Sequence, residues 1–169
     1  NILKLAEERM DRYPNTSLFV VGQVGRSYFN ERGIPIDGEF LYTAQDPTVP
    51  RARDMSETMI QLYLEGELDE IYVIFTNMVN SFKLEPTVHK LLPLDPDEFP
   101  VYERDRDCYH RDVVYIPSME AVMDRLVPGY LKGLLFSAMV ESYCSEQNAR
   151  MTAMKSSTDN ARAMLQELD

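Results

Sequence analysis

The chain predicts an α/β protein: a three-layer domain with a mostly parallel sheet, followed by a long C-terminal helix that is one strand of a coiled coil. Three observations carry this. Short apolar runs rich in β-branched and aromatic residues alternate with segments of helical period, the pattern of strands connected by crossover helices. The 169 residues are 44% apolar and 27% charged, an ordinary globular composition with enough chain to close one hydrophobic core. The final stretch reads as a helix whose apolar positions recur at alternating steps of three and four, a stripe narrower than a core-facing helix needs.

The elements follow in order. Ile2, Leu5, Ala6, Met10 and Tyr13 fall near one face of a helix over Asn1–Arg12, which Pro14-Asn15-Thr16 ends. Leu18–Gly22 is a continuous apolar run, expected of a strand buried on both faces. Val24–Glu31 predicts a short helix ending at Gly33, and Asp37–Thr43 a second strand with Phe40 and Tyr42 on one face. Gln45–Pro50 reads as a loop. Ala52–Glu65 is amphipathic, with Ala52, Met55, Met59, Leu62 and Tyr63 as its inner stripe and Gly66 as its stop. Glu70–Thr76 predicts another buried strand. Phe82–Leu94 predicts a less regular one that Pro86 confines to an edge or a bend.

Asp95–Asp112 is a charged, Pro-containing connector expected to run over the surface. Val113–Ile116 predicts a last strand. Ser118 is placed to cap a helix, with Glu120 in its first turn. The helical pattern then runs from Met119 to the end, interrupted at Pro128-Gly129 by a kink or by the start of a new helix. The chain therefore divides into an α/β domain, residues 1–117, and a helical region, residues 118–169.

Charge narrows the partners. The formal net charge is -11 and the isoelectric point about 4.6. This argues against nucleic acid, and against docking on anionic lipid through a basic patch. No apolar run reaches the roughly 18–20 residues of a membrane span, and the start is amphipathic and charged, unlike a signal peptide. Two cysteines make no disulfide framework and suit a reducing compartment. The chain starts without Met inside a helical pattern and stops at Leu168-Asp169 without Gly, Asn or Pro. Both ends read as cuts in a longer protein.

The candidate chemistry is sparse. Gly22-Gln23-Val24-Gly25 follows the first strand, where a phosphate-binding loop would stand, but only G-x-x-G fits and no acidic residue ends the next strand to hold a ribose. A tight strand-to-helix turn is the better reading. Cys108, His110, Cys144 and His89 match no zinc spacing. Asp95, Asp97, Glu98, Glu103, Asp105 and Asp107 are interleaved with Arg104, Arg106 and Arg111, a self-neutralising solvated loop rather than a cation site. No catalytic constellation, metal or cofactor is expected. The last helix is the exception: Cys144, Gln147, Met151, Met154, Thr158, Ala161, Leu165 and Leu168 form a seven-residue repeat. Its alternative reading is an ordinary surface helix packed on the sheet.

Ala149-Arg150-Met151-Thr152-Ala153-Met154-Lys155, followed by Thr158-Asp159-Asn160-Ala161, resembles the signature of the gamma subunit of F-type ATP synthases, A-R-M-x-A-M-x-x-A-T-x-N-A. Ser157 stands where the family has Ala. Glu146-Gln147 also matches, and Leu68–Val73, Pro86–Val88 and Leu91–Leu94 resemble the family's middle strands.

The resemblance implies a Rossmann-like central domain carrying the lower part of the C-terminal shaft helix, with the rest of the shaft outside this sequence. It implies a non-catalytic rotor, turned by a membrane c-ring that protons or sodium ions drive, which forces the catalytic subunits through their states. The implied partners are the epsilon subunit, the c-ring and the alpha and beta subunits. The implied place is the cytoplasmic face of a bacterial membrane, reached only through the complex, since the cysteine-bearing insertion of photosynthetic relatives is missing. Met151, Met154, Thr158, Ala161, Leu165 and Leu168 would form the coiled-coil interface, and Glu146 and Arg150 would face the catalytic ring. Val113, Tyr115 and Ile116 would form the foot on the c-ring, with Ile116 in place of an acidic residue of some relatives. A soluble fragment would self-associate through its exposed helix. Two other readings stay open: a small nucleotide-binding α/β enzyme or sensor built on Val21–Gly25, and a redox or metal module using Cys108 and Cys144.

Overall fold

A computed structural model describes residues 2–40, 45–80, 83–94 and 116–168. The chain runs α1 (Ile2–Arg12), β1 (Phe19–Val21), α2 (Gln23–Glu31), β2 (Gly38–Phe40), α3 (Val49–Leu64), β3 (Ile71–Asn80), β4 (Lys83–Leu92) and α4 (Met119–Leu168).

β1 and β2 pair in parallel, with Phe19 opposite Gly38 and Val21 opposite Phe40, and α2 connects them. The Phe19 ring lies over Gly38 so closely that a Cβ there would stand 2.5 Å from the ring, so only glycine fits beneath it. Gly22 turns the chain from β1 into α2 with φ 94°, a conformation glycine adopts freely. Asp37 accepts a hydrogen bond from the Leu18 amide at 2.7 Å, tying the start of β1 to that of β2. Arg26 of α2 reaches Glu39 of β2 at 3.2 Å.

β3 and β4 form an antiparallel ladder from Ile71 opposite Leu92 to Asn80 opposite Lys83. This corrects the expected sheet: the described strands make one parallel and one antiparallel pair, not one mostly parallel layer. The reason is local. Only two residues separate β3 from β4, and a parallel partner needs a crossover of about a dozen or more. Apolar runs report burial, not the identity of the neighbouring strand. Pro86 sits opposite Thr76, whose own N–H and C=O both bond to α4 and so turn away from β4. The pair is therefore not a hydrogen-bonded one, and the missing proline N–H costs the ladder nothing.

Two helix boundaries also differ from expectation. α3 begins at Val49 rather than Ala52, because Thr48 supplies an extended cap residue and Pro50 is accepted in the first turn. α4 runs as one helix through Pro128, so no new helix starts there. The N–H that proline lacks would have bonded the Asp124 carbonyl, and both residues are exposed, so water can take that carbonyl and the helix continues. Ser118 caps α4 as expected, accepting the Ala121 amide at 3.2 Å.

The core joins Ala52, Met55 and Met59 of α3, Ile71 of β3, Leu91 and Leu92 of β4, and Leu131, Leu135 and Met139 of α4, with Phe19, Val21 and Phe40 packed against it. The first part of α4 is thus seated in the α/β body. A polar lock holds α1 to the rest. Glu7 takes the Tyr28 hydroxyl at 3.1 Å and pairs with Arg32, whose guanidinium lies over the Tyr28 ring at 4.2 Å. Burial, then the Glu7 hydrogen bond, raise the Tyr28 pKa. Arg9 lies over the Tyr72 ring at 5.4 Å. The hydrogen bond from Lys90, then that from Tyr72, lower the Glu70 pKa.

Candidate functional site: the projecting half of the C-terminal helix

The site begins where α4 leaves the body. Leu131, Leu135, Ala138 and Met139 are buried, and Ser145, 2% exposed, is the last buried residue among the described side chains of the helix. From Ala149 to Gln166 every residue is exposed. Helix formation there rests on local terms: the Glu146–Arg150 pair at 2.7 Å, one turn apart, and the Asp159–Arg162 approach at 3.8 Å. Pairs of this kind contribute only about 0.2–0.5 kcal/mol each. A helix carrying Met151 and Met154 at 64% exposure, Met164 at 66% and Leu165 at 64% leaves a large apolar surface in water.

The predicted interface residues lie on this stretch. Met151, Met154, Thr158, Ala161 and Leu165 are all exposed; Leu168 ends the helix, and its side chain lies outside the described part of the chain. Glu146 and Arg150 are exposed and pair with each other. Val113 and Tyr115 lie outside the described residues. Ile116 is 82% exposed in a bend before α4 and not in a strand; Pro117 follows it, and Pro cannot donate to a ladder.

The helix geometry separates two faces that periodicity alone does not distinguish. At about 100° per residue, the body-facing line through Leu131, Leu135, Ser142 and Ser145 continues into Ala149, Ala153, Ser156 and Asn160. Those residues are small. The Met151–Met154–Leu165 stripe lies on the opposite side. Stepped back by threes and fours, it passes through Cys144 and Val140 to Tyr130, Leu126, Met123 and Met119, which are 40–58% exposed. This lower run of large exposed apolar residues was missed in the sequence. Its signal was present, since the same steps continue below Cys144, but Pro128-Gly129 suggested a break.

The other candidates do not assemble. Gly25 is buried, and a Cβ there would stand 2.8 Å from Val20 Cγ1. It serves the contact of α2 on β1. The Gly22 amide is already bonded to the Phe40 carbonyl at 3.2 Å. Cys144 is a free, exposed thiol, His89 lies in β4, and Cys108, His110 and the acidic run 95–107 are outside the described residues. Among the described residues no three His, Cys, Asp or Glu side chains gather as metal ligands, and no helix is long and apolar enough to cross a membrane. A groove of about 370 Å³ runs between the start of α1 and α4, lined by Ile2, Val73, Phe75, Leu135, Glu146 and Ala149 among others.

Comparison with known proteins gives a consistent result. A family model described as ATP synthase matches residues 1–169. The ATP synthase gamma chain of Ruminiclostridium cellulolyticum is 41% identical over 171 residues, covering 100% of this chain and 58% of that one. The ATP synthase gamma chain of Acetivibrio thermocellus is 39% identical over 173 residues, covering 100% and 59%. The chain thus spans less than two thirds of the length of these curated relatives. Among solved structures, the central stalk and c-ring of the Tetrahymena thermophila mitochondrial ATP synthase aligns with TM-score 0.65 at 20% identity, over 93% of this chain and 69% of that one. The rotor of the Euglena gracilis mitochondrial ATP synthase aligns with TM-score 0.60 at 14% identity, over 98% and 66%. At these identities the likeness is one of fold: a mixed α/β body with small sheets and a long C-terminal helix.

Proposed function

The chain belongs to the ATP synthase family, with gamma chains as its relatives, and from this premise we propose that it is part of a non-catalytic central-stalk rotor. In this reading it couples ion-driven rotation of a c-ring to ATP synthesis or hydrolysis in an alpha/beta ring. The observation that carries it is the projecting half of α4, exposed at every residue from Ala149 to Gln166. A lever that meets its partners outside the body needs such a surface, and needs no acid–base pair.

Residues 1–117 form the base, whose β1–α2–β2 unit is its Rossmann-like element, and residues 118–169 form the lever rooted in it. Met151, Met154, Thr158, Ala161, Leu165 and Leu168 meet a second helix in a coiled coil, and Glu146 and Arg150 face the catalytic ring. The foot at Val113, Tyr115 and Ile116 meets the c-ring, and the epsilon subunit binds the base. The protein is peripheral, on the cytoplasmic face of the membrane, and reaches it only through the complex. Alone, the chain self-associates through its exposed helix.

The test is binding and turnover. The purified chain, mixed with the epsilon subunit of the same source, is expected to co-elute with it on size exclusion and to show no ATP hydrolysis. Separate elution together with robust hydrolysis by the chain alone would overturn the reading.

A further inference from the structure

The structure assigns a positioning role to Ser142 and Ser145: together they bracket the peptide of Thr76 and set the rotational phase in which α4 leaves the body. This rests on the rotor reading and deepens it, since a lever transmits torque only as faithfully as its root holds its angle.

The Thr76 N–H donates to Ser142 Oγ at 3.3 Å, and Ser145 Oγ donates to the Thr76 carbonyl at 3.3 Å. The two serines are three residues apart, so they stand on one side of the helix. Both backbone groups turn away from β4, so at this point β3 presents the donor and acceptor of an unpaired edge. Helix α4 covers that edge and supplies both partners. The bracket also stands at the boundary between the two halves of the helix, with Ser145 2% exposed and Ala149 the first of the continuously exposed run.

The other buried residues of the seat are apolar: Leu131, Leu135, Ala138 and Met139. Such contacts decide which face of the helix turns inward, but they are non-directional and tolerate a small roll. Hydrogen bonds do not, because they weaken steeply with angle. A roll too small to expose the apolar face still turns both hydroxyls off line and takes from the part-buried Thr76 N–H and C=O their side-chain partners. Ser142 and Ser145 thus sharpen an angle of the lever that the apolar face sets more coarsely.

The test uses the full-length chain assembled with alpha, beta and c-ring components. Ser142→Ala/Ser145→Ala is expected to assemble and hydrolyse ATP, but to move about twofold fewer ions per ATP, or worse. A spin-label distance between Glu31→Cys on the body and Arg162→Cys on the lever, measured in the full-length subunit with its native cysteines replaced, is expected to broaden. Ser142→Thr, which keeps the hydroxyl, is expected to restore both readouts relative to Ser142→Ala. A double variant with wild-type coupling and an unbroadened distance overturns the inference. If the double variant does not fold, Ser142→Ala alone carries the same two readouts. Failure of the wild-type chain to assemble would instead speak against the rotor reading, so the two failures are distinguishable.

Discussion

The lower and upper halves of α4 belong to one unbroken helix but obey different rules. Between Leu131 and Ser145, one face is buried against α3 and β3 while the other stays in water. Here the sequence is explained by the chain's own fold. From Ala149 to Gln166 no face is covered, yet the residues are not those of a purely solvated helix: Met151, Met154, Met164 and Leu165 remain. On the proposed rotor reading, this pattern, which the chain's own fold does not use, serves a partner helix. The difference teaches that burial must be read face by face along a helix, and that the transition at Ser145–Ala149 separates internal from external demands.

The largest effect that could break this comparison lies in the seated half. Leu135 is 4% exposed, and Leu135→Ala should cost about 2–5 kcal/mol of stability by chemical denaturation. A loss below 1 kcal/mol, on the order of an exposed substitution, would mean that the lower half is not seated as described. A smaller effect tests the body that seats it. Gly25→Ala places a methyl 2.8 Å from Val20 Cγ1, on a β-branched side chain that cannot swing aside, and should cost about 1–3 kcal/mol. The same variant sharpens the reading of the Gly22–Gly25 turn: its thermal midpoint should be as indifferent to added ATP as that of the parent chain. The smallest effect belongs to the projecting half. Met151→Ala/Met154→Ala should shift the stability of the isolated chain, measured at a dilution where it is monomeric, by no more than about 0.5 kcal/mol while weakening assembly with partner subunits. A destabilised isolated chain with unimpaired assembly would reverse the assignment of the two halves.

Much of this was legible in the residues. The inner stripe of α3, the cap at Ser118 and the glycine turn at Gly22 each follow from local chemistry, and each stands where the residues placed it. Strand pairing was not legible, because Val73 or Val88 signals burial without naming a neighbour; the short gap between β3 and β4 was the better clue. β3 runs on to Asn80 past the expected end at Thr76, since Asn77 and Asn80 are polar residues that an exposed ladder end accepts. The stripe of α4 was legible above Cys144 and hidden below it, because Pro128 reads as a break in sequence while an exposed backbone absorbs it. The two faces of the helix were not separable at all without knowing that Ser145 points inward.

Pro128, Gly129 and Gly133 all stand on α4 before the end of its buried stretch, and from Leu134 onward the sequence contains neither residue type. Nothing would obstruct a Cβ at Gly129 or Gly133, so packing does not demand glycine at either, although each lowers helix stability by roughly 0.5–1 kcal/mol relative to alanine. The bending compliance of this rod is therefore unevenly distributed. It collects near the base, where one backbone hydrogen bond is missing and two residues lack side-chain bracing, and the segment beyond behaves as the stiffer beam.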